Sequence, residues 1–312
     1  MRCLGILLTL MVGCGSYSHA QLTYNELRVD FDSSWTYKNL KLIPIRFNAQ
    51  EKDSISILSP KQRLISFSEA MELHKIKVQE MQYELGADVN WLQVTNHSRQ
   101  EIVIQAGEIV AGGKQDRMMA ETKFIAPGTT DYIHVFCVEK RRWDDKPKTF
   151  SHYGMANSSV RKAMDITARQ ADVWKEIDKE FSAQKKKSET WSYKDLYKDA
   201  NDADSGYLKY FLDKYNQCER NLSGFVFITG SGIMAVELFS SPDLLDITYE
   251  NMLRSYIQTA SEYGNLPTAT NAVAKSLLDN VLMNAEKQKA YVNAHGQLHQ
   301  QNQKVVHLVA YP

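Results

Sequence analysis

Short apolar and alternating stretches follow one another closely between residues 24 and 150. Alternation with a period of two indicates half-buried strands, and short continuous apolar runs indicate buried ones. We therefore predict strands at residues 40–45, 76–81, 89–94, 101–105, 123–126 and 132–138. The first should lie at a sheet edge, because Pro44 has no backbone N–H to donate. The last is apolar on both faces, which predicts a central strand.

After Phe150 the apolar positions take a helical period. The apolar side chains of residues 160–181 share one helical face, with Ser158 or Ser159 as the predicted N-cap. Trp174 lies on this face, so we expect it to be buried against the strand-rich half. Other helices are predicted from the S-x-x-E capping box at residues 66–69, around 207–215, from 242 to 264 and over 270–288.

A hairpin and a final strand complete the pattern. Two strand-like runs, 225–229 and 233–239, are joined by Gly230-Ser231-Gly232. This segment also fits the G-x-G-x-x-A dinucleotide pattern, but no helix follows it, so the glycines are expected to turn a hairpin. The strand-like run at residues 305–309 must pair with an earlier strand, which makes the whole chain one unit.

We therefore predict an α+β fold with an antiparallel β-sandwich-like N-terminal half, residues 24–150. The helix-rich C-terminal half, residues 151–312, should contribute a hairpin and a C-terminal strand. Hydrophobic residues make up 43% of the 312 residues and charged ones 24%, which are ordinary values for a globular protein. The 37 basic and 37 acidic residues balance, so a nucleic acid is not an expected partner.

The first twenty residues form a separate segment. Arg2 is their only charge, an apolar run covers residues 3–12, and the segment ends in Ser18-His19-Ala20. This is the pattern of a signal peptide cleaved after Ala20, which predicts a periplasmic or secreted domain over residues 21–312. No later apolar stretch is long enough to cross a bilayer.

Two cysteines leave alternatives open. Met11-Val12-Gly13-Cys14 resembles a bacterial lipobox, so a lipid anchor at Cys14 in the bacterial envelope is the alternative to soluble export. Cleavage after Ala20 would leave only Cys137 and Cys218. An oxidising compartment permits a disulfide between them, and two buried free thiols are the other interpretation.

The segment with the most chemistry begins at Gly112-Gly113, where the backbone is free to adopt positive φ. The next four residues supply two cations, an amide and a carboxylate: Lys114, Gln115, Asp116 and Arg117. Successive N–H groups beside these cations would form an anion nest, and Arg117 would bind a phosphate or carboxylate with two hydrogen bonds. The alternative is a charged turn in which Asp116 and Arg117 pair locally.

A second segment leaves the strand at residues 132–138 and enters a basic, aromatic loop that holds Glu139, Arg142 and Trp143. Arg142 would bind an anion or pair with Glu139, and Trp143 would stack on a ring or cover the core. Cys137 is either an activated nucleophile or an inert core residue. His295 and His299 lie four apart but lack the Glu of a zinc-binding helix, so a polar loop and no metal site are predicted.

The following segments, in this order, resemble the ARPP-1 domain: 76–80, 89–96, G-E (107–108), G-G-K-Q-D-R (112–117), C-V-E (137–139) and R-W (142–143). The likeness continues through residues 224–239, 253–256 and 306–308. ARPP-1 stands for ARG and rhodanese-phosphatase-superfamily-associated protein, and its neighbours include ADP-ribosylglycohydrolases. The resemblance implies a place in predicted NAD and ADP-ribose pathways.

Three functional hypotheses follow. The first is an exported binding or accessory module for a small anionic, nucleotide-like ligand, held by Lys114, Gln115, Arg117, Arg142 and Trp143. The second is a hydrolase of an ADP-ribose-like or phosphorylated ligand, with Asp116 or Glu139 as general base. The third is a purely structural envelope protein. No cofactor is expected, and the sequence identifies no protein partner.

Overall fold

The computed structural model describes residues 22–48, 64–81, 89–144, 148–197 and 201–312, so the predicted signal peptide and Cys14 lie outside the described residues. The strands are β1 (Leu27–Val29), β2 (Trp35–Tyr37), β3 (Leu40–Phe47), β4 (Leu64–Ser66), β5 (Ile76–Glu80), β6 (Trp91–Asn96), β7 (Glu101–Ile104), β8 (Glu108–Gly113), β9 (Arg117–Met119), β10 (Lys123–Ile125), β11 (Thr130–Cys137), β12 (Lys148–Met155), β13 (Leu222–Thr229), β14 (Gly232–Phe239), β15 (Gly296–Gln301) and β16 (Lys304–Ala310). The helices are α1 (Phe67–Glu72), α2 (Ser158–Thr167), α3 (Gln170–Ala183), α4 (Asn201–Gln217), α5 (Pro242–Tyr263), α6 (Asn271–Val281) and α7 (Ala285–His295).

The largest sheet joins the two ends of the chain. Its seven strands run in the order β1-β3-β13-β14-β16-β15, and β2 also pairs with β3. β13 and β14 form the predicted hairpin, whose two-residue loop contains Gly230 at φ 55°. β16 pairs with β14 and β15, so the C-terminal strand finds its partners in the C-terminal half. Strand β3 from the N-terminal half completes this sheet against β13.

Pro44 lies inside this sheet, and its predicted edge position is wrong. β3 pairs with β13 on one side and with β1 and β2 on the other. β1 covers β3 from Ile45 onward and β2 covers it only up to Leu42, so Pro44 falls in the gap between them. The missing N–H of proline therefore costs no ladder hydrogen bond on that side, while the Pro44 carbonyl accepts one from the Asp30 N–H at 2.9 Å.

The remaining strands form the predicted sandwich-like part. A six-stranded sheet runs β12-β8-β9-β11-β6-β5, and a three-stranded sheet runs β10-β7-β4. Their inner faces share one apolar core, to which Ile102 and Ile104 contribute from β7 and Val94 and Val135 from the larger sheet. β11 lies between β6 and β9, which confirms the predicted central strand.

Helices cover the outer faces of the sheets. Alternate residues of β13 face opposite sides, so Phe225 and Phe227 pack toward α5, whereas Val226 and Ile228 pack toward α6 and α7. α2 and α3 pack on the other face of the six-stranded sheet, against residues such as Met118. The fold is therefore α+β, with strands concentrated in the N-terminal half and helices in the C-terminal half, as predicted.

The predicted helix over 160–181 is two helices. Asn157, not a serine, is the N-cap of α2 and accepts a hydrogen bond from the Val160 N–H at 2.9 Å. The helix stops at Ala168, which adopts a left-handed φ of 48° without the glycine that usually marks such an end. Trp174 of α3 is only half-buried, and its indole lies 5.9 Å from Lys140 Nζ. The expected burial of Trp174 in the core is therefore wrong.

The predicted helix over 270–288 is also divided, because Asn284 starts α7 by accepting a hydrogen bond from the Lys287 N–H at 2.9 Å. Ser66 and Ser241 cap α1 and α5 as the capping-box and Pro-at-N1 patterns predict. Within the described part of the chain, no helix combines the length and apolarity needed to cross a membrane.

Candidate functional site

The G-G-K-Q-D-R segment forms the turn between β8 and β9. Gly112 and Gly113 have φ of 128° and 53°, which L side chains rarely adopt. A Cβ on Gly112 would lie 2.5 Å from the Thr149 carbonyl oxygen, and one on Gly113 would lie 2.2 Å from Phe150 Cζ. Both glycines are therefore required by the close approach of β12 as well as by the backbone angles.

Asp116 lies at the buried centre of this region, with 1% of its surface exposed. Its Oδ1 accepts hydrogen bonds from the Gly112 N–H at 2.8 Å and from Arg142 Nη2 at 3.0 Å. Its Oδ2 accepts one from Ser192 Oγ at 2.8 Å and lies 3.2 Å from Lys194 Nζ. Four donors saturate this carboxylate, so it stabilises the turn and has little capacity to deprotonate a water molecule.

Arg142 binds the turn to the following loop. Its guanidinium donates five hydrogen bonds, to Glu139 Oε2 (2.8 Å), the carbonyl oxygens of Gly113 (2.8 Å) and Gly112 (3.0 Å), Asp144 Oδ2 (2.7 Å) and Asp116 Oδ1 (3.0 Å). Burial lowers the pKa of Arg142, but hydrogen bonds to Glu139 and Asp144 outweigh burial and hold the pKa above its ordinary value. Arg142 is thus fully engaged within the protein and is not available to clamp an external anion.

Glu139 is 2% exposed and follows β11. Its Oε2 accepts hydrogen bonds from the Asp116 N–H at 3.1 Å and from Arg142 Nε at 2.8 Å. Asp116, Glu139 and Arg142 therefore converge, and Arg142 pairs with Glu139, which is one of the two alternatives that the sequence left open. We call these three residues the carboxylate–arginine cluster.

Arg117 faces a different partner. Its guanidinium is 1% exposed and lies 3.6 Å from Glu80 Oε1, while its Nη1 donates to Gln115 Oε1 at 3.4 Å. Gln115 is 8% exposed. Their predicted ligand-binding role would require a surface position, and burial argues against it for both residues. The same burial raises the pKa of the neighbouring Cys137 thiol, an effect that the charge of Arg117 only partly offsets.

Lys114 and Trp143 remain at the surface. Lys114 Nζ lies 4.9 Å from the centre of the Trp143 ring, within the range of a cation–π contact, and Trp143 is 48% exposed. Cys137 and Cys218 are both free thiols, so the disulfide alternative is not realised in this structure. In the described ranges, no group of three or more His, Cys, Asp and Glu side chains is arranged to hold a metal ion.

A cleft of about 750 Å³ opens beside the carboxylate–arginine cluster. Glu139 and Arg142 form part of its wall, and hydroxyl groups come from Thr149 and Thr190. The other charged residues of its wall are Lys148, Lys186, Lys187, Lys194, Glu189 and Asp195. Five cationic residues against three acidic ones give the cleft a positive character, and we call it the basic cleft.

A family model of the ARG and Rhodanese-Phosphatase-superfamily-associated Protein domain, ARPP-1, matches residues 28–310. The chain belongs to the ARPP-1 family. The resemblance drawn from the sequence segments is thereby confirmed. A search of curated proteins found no match, and a search of solved structures found none either.

The ARPP-1 domain also contains a buried ionic network that the sequence did not predict. Arg161 of α2 donates to Glu237 Oε1 of β14 at 2.7 Å, and both side chains are at most 1% exposed. His307 Nε2 lies 2.9 Å from the same carboxylate oxygen, and Tyr256 donates to Oε2 at 2.6 Å. Burial raises the pKa of Glu237, but Arg161 and His307 outweigh it and hold the pKa well below its usual range. The sequence signal for this network was the position of Glu237 within an apolar strand, because a charged residue there is rarely buried without a partner.

The network extends to His299, for which a polar loop was predicted. That prediction is wrong: His299 lies in β15, is 8% exposed, and stacks on His307 with ring centres 5.1 Å apart. Its Nδ1 accepts a hydrogen bond from the Thr122 N–H at 3.2 Å. His307 and Tyr256, which both bind Glu237, belong to the ARPP-1-like segments. Those segments therefore form two separate clusters in the structure, one at the G-G-K-Q-D-R turn and one at Glu237.

Proposed function

We propose that this ARPP-1 domain binds a small polyanion, such as an ADP-ribose-like or phosphorylated molecule, in the basic cleft without transforming it. The observation that supports the proposal is the set of lysines around the cleft, at a point where the carboxylates of Asp116 and Glu139 are already satisfied by internal donors. Because those carboxylates are compensated, the lysine ammonium groups determine the field that an entering anion meets.

The lysines differ in availability. Lys194 Nζ is held by Asp116, and Lys186 Nζ donates to the Leu196 carbonyl. Lys148 and Lys187 are exposed, and no ion pair is described for either of them among the residues that the structure describes. These two lysines are therefore the strongest candidates for direct contact with a phosphate group, which Lys binds as a point charge.

The test is isothermal titration calorimetry of the processed protein with ADP-ribose, ATP and inorganic pyrophosphate. We expect binding that weakens with added salt and that falls at least tenfold in the double variant Lys148→Ala/Lys187→Ala. Lys185→Ala is the matched control, since Lys185 is exposed in the same segment but does not line the cleft. Equal binding by the double variant, or no binding of any of the three probes by the parent protein, would contradict the proposal.

A hydrolase remains the second candidate because Glu139 lines the basic cleft. The hydrogen bonds described for its carboxylate all reach Oε2, which leaves Oε1 as the oxygen that would accept a proton from water. Turnover of ADP-ribose that disappears in Glu139→Gln, while ADP-ribose binding persists, would favour this candidate. Absence of both binding and turnover would favour the purely structural role.

We further propose that the domain acts outside the cytoplasm, either periplasmic or secreted, after removal of residues 1–20. The support is the pattern of the N-terminal segment, in which an apolar run precedes Ser18-His19-Ala20. The intact mass of the mature protein decides between the alternatives. A chain starting at Gln21 supports soluble export, whereas a diacylated chain starting at Cys14 supports a lipid anchor.

A further inference from the structure

His152 of β12 is paired with a buried carboxylate that has no part in the basic cleft. Its Nε2 lies 3.0 Å from Glu108 Oε1, and Glu108 is 2% exposed. The same oxygen accepts a hydrogen bond from Asn251 Nδ2 at 3.0 Å, and Oε2 accepts one from the Gln105 N–H at 2.7 Å. Phe67 packs edge-on against the imidazole with ring centres 5.7 Å apart. The ring is therefore held in one orientation.

The pairing also selects the tautomer of His152. An ionised carboxylate only accepts hydrogen bonds, so the Nε2 atom that faces Glu108 carries the proton. The lone pair then resides on Nδ1, for which no hydrogen bond is described among the residues of the five described ranges. This is the arrangement in which a carboxylate orients a histidine that acts as general base.

A β-bulge presents His152 to a cleft of about 910 Å³. His152 is opposite Val110 and Gly154 is opposite Ile109, so Tyr153 is the extra residue of the bulge. Both His152 and Tyr153 line this cleft, although consecutive strand residues normally face opposite sides. Bulges are frequent beside active sites because they redirect side chains in this way. We call this second cavity the His152 cleft.

The charges of the His152 cleft cancel locally. Arg254 lies 2.6 Å from Glu250, and Asp246 lies 3.1 Å from Arg220. The remaining polar lining includes neutral groups such as Asn251, Gln258, Ser66 and Ser68. A multiply charged phosphate would gain little in such surroundings, whereas an uncharged molecule would meet donors and acceptors without a charge mismatch.

We propose that His152 is the general base of a hydrolytic site for uncharged esters, with Glu108 as its positioning residue. Nδ1 of His152 takes a proton from a water molecule as the water oxygen bonds to the ester carbonyl carbon. The tetrahedral intermediate breaks its bond to the alcohol oxygen, which receives the proton from Nδ1, so one water yields one acid and one alcohol. Asn251 lines the same cleft, and its second amide N–H, which does not bind Glu108, is the donor for the developing oxyanion.

Two alternative reaction classes fit these residues less well. Glycoside hydrolysis uses a pair of carboxylic acids on opposite sides of the scissile bond, and the two carboxylates of this cleft, Asp246 and Glu250, are each paired with an arginine. Phosphoryl transfer relies on cations that neutralise the charge of the transferred group, and Arg254 is already paired with Glu250. An imidazole base suits acyl transfer near neutral pH.

The test compares three chromogenic substrates with one leaving group: p-nitrophenyl acetate, p-nitrophenyl phosphate and p-nitrophenyl glucoside. We expect the processed protein to hydrolyse the acetate, with kcat/KM at least tenfold lower in His152→Gln and unchanged in the control His97→Gln. His97 is an exposed histidine that does not line the His152 cleft; it lines a neighbouring cleft, to which His152 also contributes. An acetate rate that His152→Gln retains, or hydrolysis confined to the phosphate or the glucoside, would overturn the proposal.

The role of Glu108 needs a readout that loss of stability alone would not change. In Glu108→Gln the limb of the pH–rate profile that reports the imidazole should move to lower pH, because the carboxylate no longer favours the protonated ring. If Glu108→Gln does not fold, Asn251→Ala serves instead, since it removes one donor to Glu108 from a half-buried position. In that variant the same limb should move to higher pH. An unchanged limb in a folded variant would show that Glu108 does not act on His152.

Discussion

Arg161 and Glu237 form an ion pair 2.7 Å long in which neither side chain is more than 1% exposed. The pair joins α2, which covers the six-stranded sheet, to β14 in the seven-stranded sheet. It therefore ties the helical cover of the six-stranded sheet to the seven-stranded sheet through one contact inside the ARPP-1 domain. A buried charge that loses its partner is strongly destabilising, even though a complete buried pair contributes little net stability.

We expect Arg161→Met to lower the free energy of unfolding by about 3–5 kcal/mol, because it leaves Glu237 buried without its main counter-charge. The matched control is Arg169→Met, since Arg169 pairs with Asp172 at 2.6 Å but is 72% exposed. The control should cost less than about 1 kcal/mol. Urea denaturation of the two variants measures the difference, and equal costs would show that burial does not determine the effect.

The histidines near Glu237 predict a loss of stability in mild acid. Burial lowers the pKa of His299 and of His307 below the ordinary value. In the unfolded chain these rings bind protons near pH 6.5, so their stabilising contribution is complete above that pH and is lost as the pH falls. We expect the unfolding free energy to decrease by up to about 1.4 kcal/mol per pH unit for each histidine below that point.

Denaturation between pH 7.5 and 5 in the parent protein and in His299→Gln tests this dependence. The variant should lose the share of the slope that belongs to His299. Asp165 acts in the opposite direction, because burial raises its pKa from 3.8 to about 6 and so favours the folded state as the pH falls through that window. Asp165 is common to both proteins, so an identical slope in the two would contradict a buried, neutral His299.

Asp116 should matter for folding far more than its neighbour Asp144. Asp116→Asn reduces the charge that four donors meet, and we expect a loss of about 3 kcal/mol in unfolding free energy. Asp144→Asn removes the charge of one partner of the same Arg142, on a side chain that is 36% exposed, and should cost less than about 1 kcal/mol. Thermal and urea denaturation measure the loss of unfolding free energy in each variant. Similar losses in the two variants would show that the buried contacts of Asp116 add no stability beyond those of Asp144.

Gly113 and Gly128 offer a comparison between steric contact and backbone strain. Both have positive φ, 53° and 70°, but a Cβ on Gly113 would meet Phe150 at 2.2 Å, whereas one on Gly128 would have nothing within 4 Å. Gly128→Ala should therefore cost about 1–2 kcal/mol from the left-handed backbone alone. Gly113→Ala should lower the free energy of unfolding clearly more. The difference between the denaturation midpoints of the two variants measures this additional loss. Equal midpoints would mean that Phe150 moves aside freely.

The sequence singled out both segments of the candidate site but left the pairing of their charged residues open. Asp116, Glu139 and Arg142 converge because β9 pairs with the end of β11, which brings the two segments side by side. Arg117 does not join the carboxylate–arginine cluster, because adjacent residues of a strand face opposite sides. Its side chain therefore points away from the Asp116 side chain and toward Glu80. Glu80 lies more than thirty positions earlier in the chain, and no local pattern connects the two residues.

Features that depend on a few neighbouring residues were determined by the sequence alone. The Gly230-Ser231 turn, the caps at Ser66 and Ser241 and the central strand at 132–138 each depend on local backbone angles, short hydrogen bonds or continuous apolarity. Only the tertiary structure decided which sheet contains β16 and that Pro44 lies between the stretches of β3 paired with β1 and β2. It also decided which carboxylate faces Arg161 or His152. Those features follow from contacts between residues that lie far apart in the chain. The free energies of such contacts depend on burial and distance, and a linear pattern of residue types contains neither quantity.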